Sequence, residues 1–243
     1  MPREKIKWKA EYIEVTYSEA HWRLLRELRR EAIRLVQALS RRGLRGVVYG
    51  SIARGDVHRD SDIDIMILYP VPSAIIELAL EEMGYRVSHK LIVQATPGST
   101  PKAYLFLDEK ERRSVSYPLA YLQGREYEFY RFGGLLDWEG LSRGERVPGV
   151  TKALVLIEPT PKGHRESPVI GRESEVARVL GISAETVLER VRVLSRRDVV
   201  GRTGVFIKVI LGPGDSIEEA AMALASRNPY FRKALRSRGS PLL

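Results

Sequence analysis

Between residues 21 and 40, Trp22, Leu25, Leu28, Ile33, Val36 and Leu39 recur near one helical face, while Arg23, Arg26, Arg29, Arg30 and Arg34 fall mostly on others. That spacing predicts a long amphipathic helix with a solvated basic face and Ser18 at its N-cap. Ahead of it, residues 6–17 carry partial period-2 patterning and β-formers, which predicts a strand. Gly43 and Gly46 then break the chain before a short apolar strand at 47–49. Ile63, Ile65 and Ile67 alternate with Asp62, Asp64 and Met66, so a strand there buries its isoleucines and projects both aspartates from the other face. A break at 70–73 precedes an amphipathic helix at 74–83, and further strands are expected at 89–95, 102–107 and 114–119.

Residues 124–149, rich in Gly, Arg and aromatic side chains, show no clear period and are expected to be helix plus loop, with an apolar strand at 150–157. The stretch 159–168 holds three prolines and a glycine and is the best linker candidate. Beyond it, residues 173–194 contain two helical apolar stripes broken at Gly181-Ile182-Ser183, a helix-turn-helix pattern. Gly181 permits the positive φ of the turn, Ile182 plugs the core between the helices, and Ser183 caps the second helix. Two β-prone runs around 201–204 suggest a wing, and a helix at 216–226 leads into a basic tail at 227–238. The pattern therefore predicts one domain over residues 1–158, a linker at 159–170 and a winged helix-turn-helix domain over 171–243.

Charge changes this picture by pointing to a partner. The 243 residues carry 40 Lys plus Arg against 31 Asp plus Glu, a net +9 that favours a polyanion, nucleic acid first. With no cysteine, a disulfide framework and a thiolate zinc site are excluded, and His21, His58, His89 and His164 lack ligand spacing. No apolar segment follows the first charges and no run approaches the roughly 18 apolar residues of a membrane span, so no membrane partner and a cytoplasmic location are expected. The many charges of both signs suit a thermophile.

The chemistry concentrates in residues 47–67. An apolar strand ends in Gly50-Ser51, a helix opens at Ile52, and after ten intervening residues comes Asp62-Ile-Asp64. Gly50 allows the backbone to approach a triphosphate, Ser51 offers a hydroxyl and an N–H, and Arg54 can neutralise phosphate charge. Paired carboxylates supply the hard oxygen ligands that Mg²⁺ requires, and two such ions about 3.5–4 Å apart can activate an attacking oxygen and stabilise a leaving pyrophosphate. Asp62 and Asp64 fit that requirement; the bland alternative is a polar lead into a strand after an ordinary turn.

Gly50-Ser51-Ile-Ala-Arg54-Gly55-Asp56 with Ser61-Asp62-Ile63-Asp64 resembles the signature of the DNA polymerase β-like nucleotidyltransferase superfamily, in the variant of minimal nucleotidyltransferases. With residues 92–97, Glu128-Phe-Tyr-Arg-Phe-Gly-Gly134 and the C-terminal helix-turn-helix, the chain is similar to an archaeal group of predicted nucleotidyltransferases. The resemblance implies an α+β fold with a palm-like mixed sheet and helices, an NTP substrate with ATP as first choice, and Mg²⁺ or Mn²⁺. It also implies a third carboxylate on a later strand. Residues 89–95 contain no acid, so Asp108 is the leading candidate for catalysis and metal binding, with Glu128 and Asp137 as alternatives and an exposed turn residue as the other reading of Asp108.

The second motif would set its helix from Ser183 in a DNA groove, with Ala184, Glu185 and Thr186 near base edges. Arg190, Arg192, Arg196, Arg197, Arg202 and Lys208 are then the phosphate candidates, and protein or acceptor contacts are the alternative use of such a domain. Three functions follow as expectations. The first is a transferase moving a nucleoside monophosphate from an NTP to a hydroxyl of a protein, RNA or small molecule. The second is a nucleotide-sensing DNA-binding regulator with an inactive transferase domain, and the third an antitoxin-like protein that modifies a partner.

Overall fold

The computed structural model describes residues 6–8, 12–201 and 204–243. In chain order, β1 (Ile13–Thr16) and α1 (Glu19–Ser40) lead to β2 (Gly46–Tyr49), α2 (Ser51–Arg54), β3 (Ile63–Ile67) and α3 (Ser73–Glu81). Next come β4 (His89–Gln94), β5 (Lys102–Phe106), β6 (Arg113–Pro118), α4 (Gly124–Phe132), β7 (Leu135–Leu136), α5 (Trp138–Ser142) and β8 (Gly149–Val150). The chain finishes with β9 (Val155–Thr160), β10 (Gly163–Pro168), α6 (Glu173–Leu180), α7 (Ala184–Val200), β11 (Ile207–Leu211), α8 (Ile217–Arg227) and α9 (Pro229–Ser237). This is the mixed α+β composition expected. Residues 9–11 of the strand expected at 6–17, and Arg202, lie outside the described residues.

The chain forms two compact units that interleave along the sequence. The first comprises the described parts of Met1–Arg30, Val48–Ser61 and Gly124–Thr203; the second, Glu31–Val47, Asp62–Gln123 and Gly204–Leu243. The domains expected at 1–158 and 171–243 would instead follow one another.

In the second unit, β11, β4, β5 and β6 pair antiparallel in that order, and β3 joins β6 in parallel. Ile63, Ile65 and Ile67 are buried as their alternation requires, but Met66 on the opposite face is buried too, so this strand is covered on both sides. Leu35, Leu39, Ile76, Leu80, Ile92, Leu105 and Val115 complete the core. Gly46 marks a close approach, since a Cβ there would lie 3.0 Å from both Ile65 Cγ2 and Leu39 Cδ1. The expected basic tail is the helix α9. Asn228 caps it by accepting from the N–H groups of Tyr230 and Phe231, and Phe231, Ala234 and Leu235 form its buried face.

In the first unit, β1, β10, β9 and β8 form an antiparallel sheet, and β2 pairs with β7 through Val48 and Tyr49. The expected linker is a β-hairpin. Pro159 sits beyond the reach of β8, whose pairing partners on β9 are Leu156 and Ile157, and Pro168 is the last residue of β10, positions where a missing N–H removes no needed ladder bond. Two consecutive helices, α6 and α7, occupy residues 173–200, with Gly181 at φ 62 between them and the Ser183 hydroxyl accepting from Thr186 N–H. Their apolar stripes pack with Leu154, Leu156 and Phe132, and Ile182 fills the turn as expected. Among the described residues no wing ribbon forms: α7 continues to Val200, and the β-prone run after Gly204 pairs with β4 from Ile207↔Gln94 to Leu211↔Lys90. An apolar sheet edge with a full ladder of partners outcompetes a two-strand ribbon.

Candidate functional site

The Gly-Ser turn belongs to the first unit. Gly50 has φ 82 and ψ −148, a backbone region open almost only to glycine, and it turns the end of β2 directly into α2. Arg54 N–H donating to Gly50 O at 3.1 Å is the first helical bond, so the N–H groups of Ser51, Ile52 and Ala53 lack intrahelical acceptors. Gly50 N–H donates to Gly134 O at 2.9 Å. Gly134 has φ 87 and a Cβ there would lie 2.7 Å from Arg54 Cγ, while one at Gly149 would lie 2.5 Å from Gly134 N. The aromatic-Gly-Gly segment thus braces the turn from behind, a role its unclear periodicity did not disclose.

Two arginines hold α2 by internal bonds. Arg29 Nε and Nη2 donate to Ile52 O at 3.1 and 2.9 Å, and Nη2 also reaches Ala53 O at 3.2 Å. This residue, assigned by pattern to a solvated face, is buried; desolvation first and then the nearby Arg146 charge pull its pKa down to about 10, so it stays charged at neutral pH. Arg54 is buried as well. Its Nε and Nη2 donate to Asp56 at 2.9 and 2.8 Å and Nη1 to Gly133 O at 2.6 Å. The guanidinium expected to meet phosphate is held in the loop that follows α2.

Ser51 Oγ donates to Ser61 Oγ at 3.2 Å, and Ser61 Oγ also accepts from His58 N–H at 2.9 Å. The loop from 51 to 61 is therefore closed by a bond ending on the residue directly before Asp62.

Asp62 and Asp64 belong to the second unit, at the entry to β3. Asp62 is exposed and Asp64 half-buried. Asp64 sits opposite Ser114 on the parallel strand β6, and the buried Ser114 hydroxyl donates to Asp64 Oδ1 at 2.7 Å. Tyr104 on β5 is pushed up to about 12 by burial and by the Asp64 charge, so it stays a neutral phenol. Ser114 could be found only through strand register, which the sequence pattern does not fix.

The candidates for a third acid all have local work. Asp108 lies two residues past β5 in the turn into β6, where it accepts from the N–H groups of Arg112 and Arg113, each at 3.1 Å, and from Arg113 Nε at 3.2 Å. Burial alone would raise its carboxyl, but these donors outweigh it and lower the pKa. Asp137 caps α5 by accepting from Gly140 N–H at 2.9 Å. Glu128 accepts from Ser183 N–H at 3.2 Å, from Ser183 Oγ at 2.5 Å and from the Thr186 hydroxyl, bonds that lower its pKa. Among the described residues, no three His, Asp or Glu side chains cluster as a metal ion would need.

Those Glu128 bonds also bear on α7. Thr186, expected near base edges, is buried with its hydroxyl turned to α4. Arg190 lies 4.8 Å from the Phe129 ring and is lowered to about 10, first by burial, so it is packed inside the unit. Arg192, Arg196, Arg197 and Lys208 are exposed. No helix among the described residues is long and apolar enough to cross a membrane.

No curated protein and no solved structure matches the chain. Residues 25–112, which span the Gly-Ser turn, both aspartates and Asp108, match the family model described as a nucleotidyltransferase domain, of the polymerase β-like superfamily.

Proposed function

We propose that the protein transfers a nucleoside monophosphate from an NTP to a hydroxyl of an acceptor, with a divalent cation at Asp62 and Asp64. The observation that supports this reading is the match of residues 25–112, which hold the Gly-Ser turn and both aspartates, to the nucleotidyltransferase domain model. A phosphate acceptor for the N–H groups of Ser51, Ile52 and Ala53 would satisfy donors that α2 leaves open. The nucleotide turn is held rigid by Arg29 and by Gly134 O, so little reorganisation accompanies binding.

Mg²⁺ commonly takes one or two carboxylates together with substrate phosphates, and Asp62 with Asp64 fits that donor set. When bound, the ion neutralises charge developing on the phosphates. Ser114 fixes the rotamer of Asp64. Asp108 serves its turn in this reading, and its part as a third ligand is not retained, because its carboxylate already receives three donors from Arg112 and Arg113. An inactive, operator-reading regulator is less favoured, since Glu128 holds the start of α7 and Thr186 faces inward.

Titrating the protein with each NTP and Mg²⁺, then following pyrophosphate release in the presence of a cell extract as acceptor source, tests the proposal. Asp62→Ala/Asp64→Ala should abolish release. Equal release from both proteins would refute it.

A further inference from the structure

Residues 220–243 hold five Lys or Arg and no Asp or Glu, a run that belongs entirely to the second unit. Most of this charge is on α9, whose other face, Phe231, Ala234 and Leu235, is buried. Two of the five cations work inside the fold. Arg232 Nη1 donates to Ala225 O at 2.9 Å and to Ser226 O at 3.3 Å, closing the end of α8, and Arg238 Nη2 donates to Gly98 O at 2.6 Å. Arg227, Lys233 and Arg236 are exposed, and among the described residues no hydrogen bond or ion pair engages their side chains.

Two aromatic side chains accompany this charge. Tyr230 is 60% exposed and Phe206, just ahead of β11, 39% exposed, and their rings meet edge to face with centroids 6.0 Å apart and planes at 88°. Such rings carry a large apolar area that folding ordinarily removes from water, and here the pair is held in the open. An edge-to-face contact covers one face of one ring, so the pair itself leaves ring face open to a flat partner. Lys233 follows Tyr230 by three residues and Arg236 follows Lys233 by three, which makes the ring and both cations successive neighbours on the exposed side of α9. Lys208, also exposed, lies two residues beyond Phe206.

We propose that the Phe206–Tyr230 pair, with Lys208, Arg227, Lys233 and Arg236, forms a docking surface for single-stranded nucleic acid. Bases stack on the rings and backbone phosphates meet the cations, a combination that any single strand satisfies irrespective of sequence. A duplex keeps its base faces inside the stack and meets only the charge. An acidic polypeptide likewise matches the charge and leaves the rings without a flat partner. Neither stacking nor phosphate contact reads the 2′-hydroxyl, so DNA and RNA strands are equivalent on this surface. It shares no residue with the Gly-Ser turn or with Asp62 and Asp64, and the inference stands whether or not transfer occurs.

Fluorescence anisotropy on the full chain with labelled oligo-dT and oligo-U, in the absence of NTP and metal ion, tests it. Both strands should bind alike, and more tightly than a duplex of the same length. Tyr230→Ala, at an exposed position, should weaken binding about tenfold or more, while Tyr230→Phe binds like the wild type. Lys233→Gln/Arg236→Gln should reduce the slope of log K against log salt by about 1.4, the share of two phosphates on a single strand. Absence of binding, equal affinity for strand and duplex, or competition by poly-glutamate as strong as by oligo-dT would overturn the proposal. So would binding unchanged by Tyr230→Ala, or a salt slope unchanged by loss of both cations.

Discussion

The Ser114 hydroxyl donates to Asp64, and that bond sets the clearest test at the scale of one residue. Removing a hydrogen bond to a charged group costs about 1.5–3 kcal/mol, so Ser114→Ala should lower turnover at least about tenfold while circular dichroism shows the fold intact. Unchanged turnover would mean that Asp64 is not the group whose orientation matters. The turn at Gly50-Ser51 and the strand that begins after Asp62 were legible in the sequence because turn chemistry and period-2 alternation are local properties. Ser114 and Arg29 were not, since one depends on which strand pairs with β3 and the other on which helical face is covered. The same limit explains Asp108 and Arg54: residue type marked them as charged, but their partners Arg113 and Asp56 could be assigned only in three dimensions.

At the scale of elements, two docking contacts carry sharp consequences. A Cβ on Gly163 would fall 1.8 Å from Val15 O, so β10 can accept β1 only with glycine there. Gly163→Ala should lower the melting temperature and speed amide exchange at Val15 and Tyr17; protection equal to wild type would show that β1 tolerates the displacement. The second contact joins α4 to the start of α7 through Glu128. Its pKa is lowered below the ordinary 4.5, chiefly by the Ser183 hydrogen bond and then by Thr186. A carboxyl depressed in the folded state stabilises fully above its unfolded value and loses that contribution as pH falls through the folded one. The difference in melting temperature between wild type and Glu128→Gln should therefore be largest near neutral pH and shrink below about pH 4.5. Elements with strong periodicity, α1, β3, α3 and α6, were readable from sequence. The β9–β10 hairpin and the β11 pairing were not, because proline and glycine content marks turns without saying what lies on either side, and β-propensity does not name a partner strand.

For the whole molecule, interleaving of two compact units from six stretches of chain is a property of long-range contacts, and a reading that moves along the sequence returns consecutive domains instead. The net +9 should produce binding to nucleic acid that falls steeply with salt. With Thr186 turned inward, that binding should be indifferent to sequence, so duplexes of unrelated sequence should compete equally in a fluorescence titration; a strong preference for one of them would restore the operator-reading role of α7. The central claim remains transfer at Asp62 and Asp64. It is tested most directly by incubating the protein with each α-labelled NTP, Mg²⁺ or Mn²⁺ and a cell extract beside Asp62→Ala/Asp64→Ala. Label should appear on an acceptor with the wild-type protein alone, and label that is absent from both or equal in both would contradict the account.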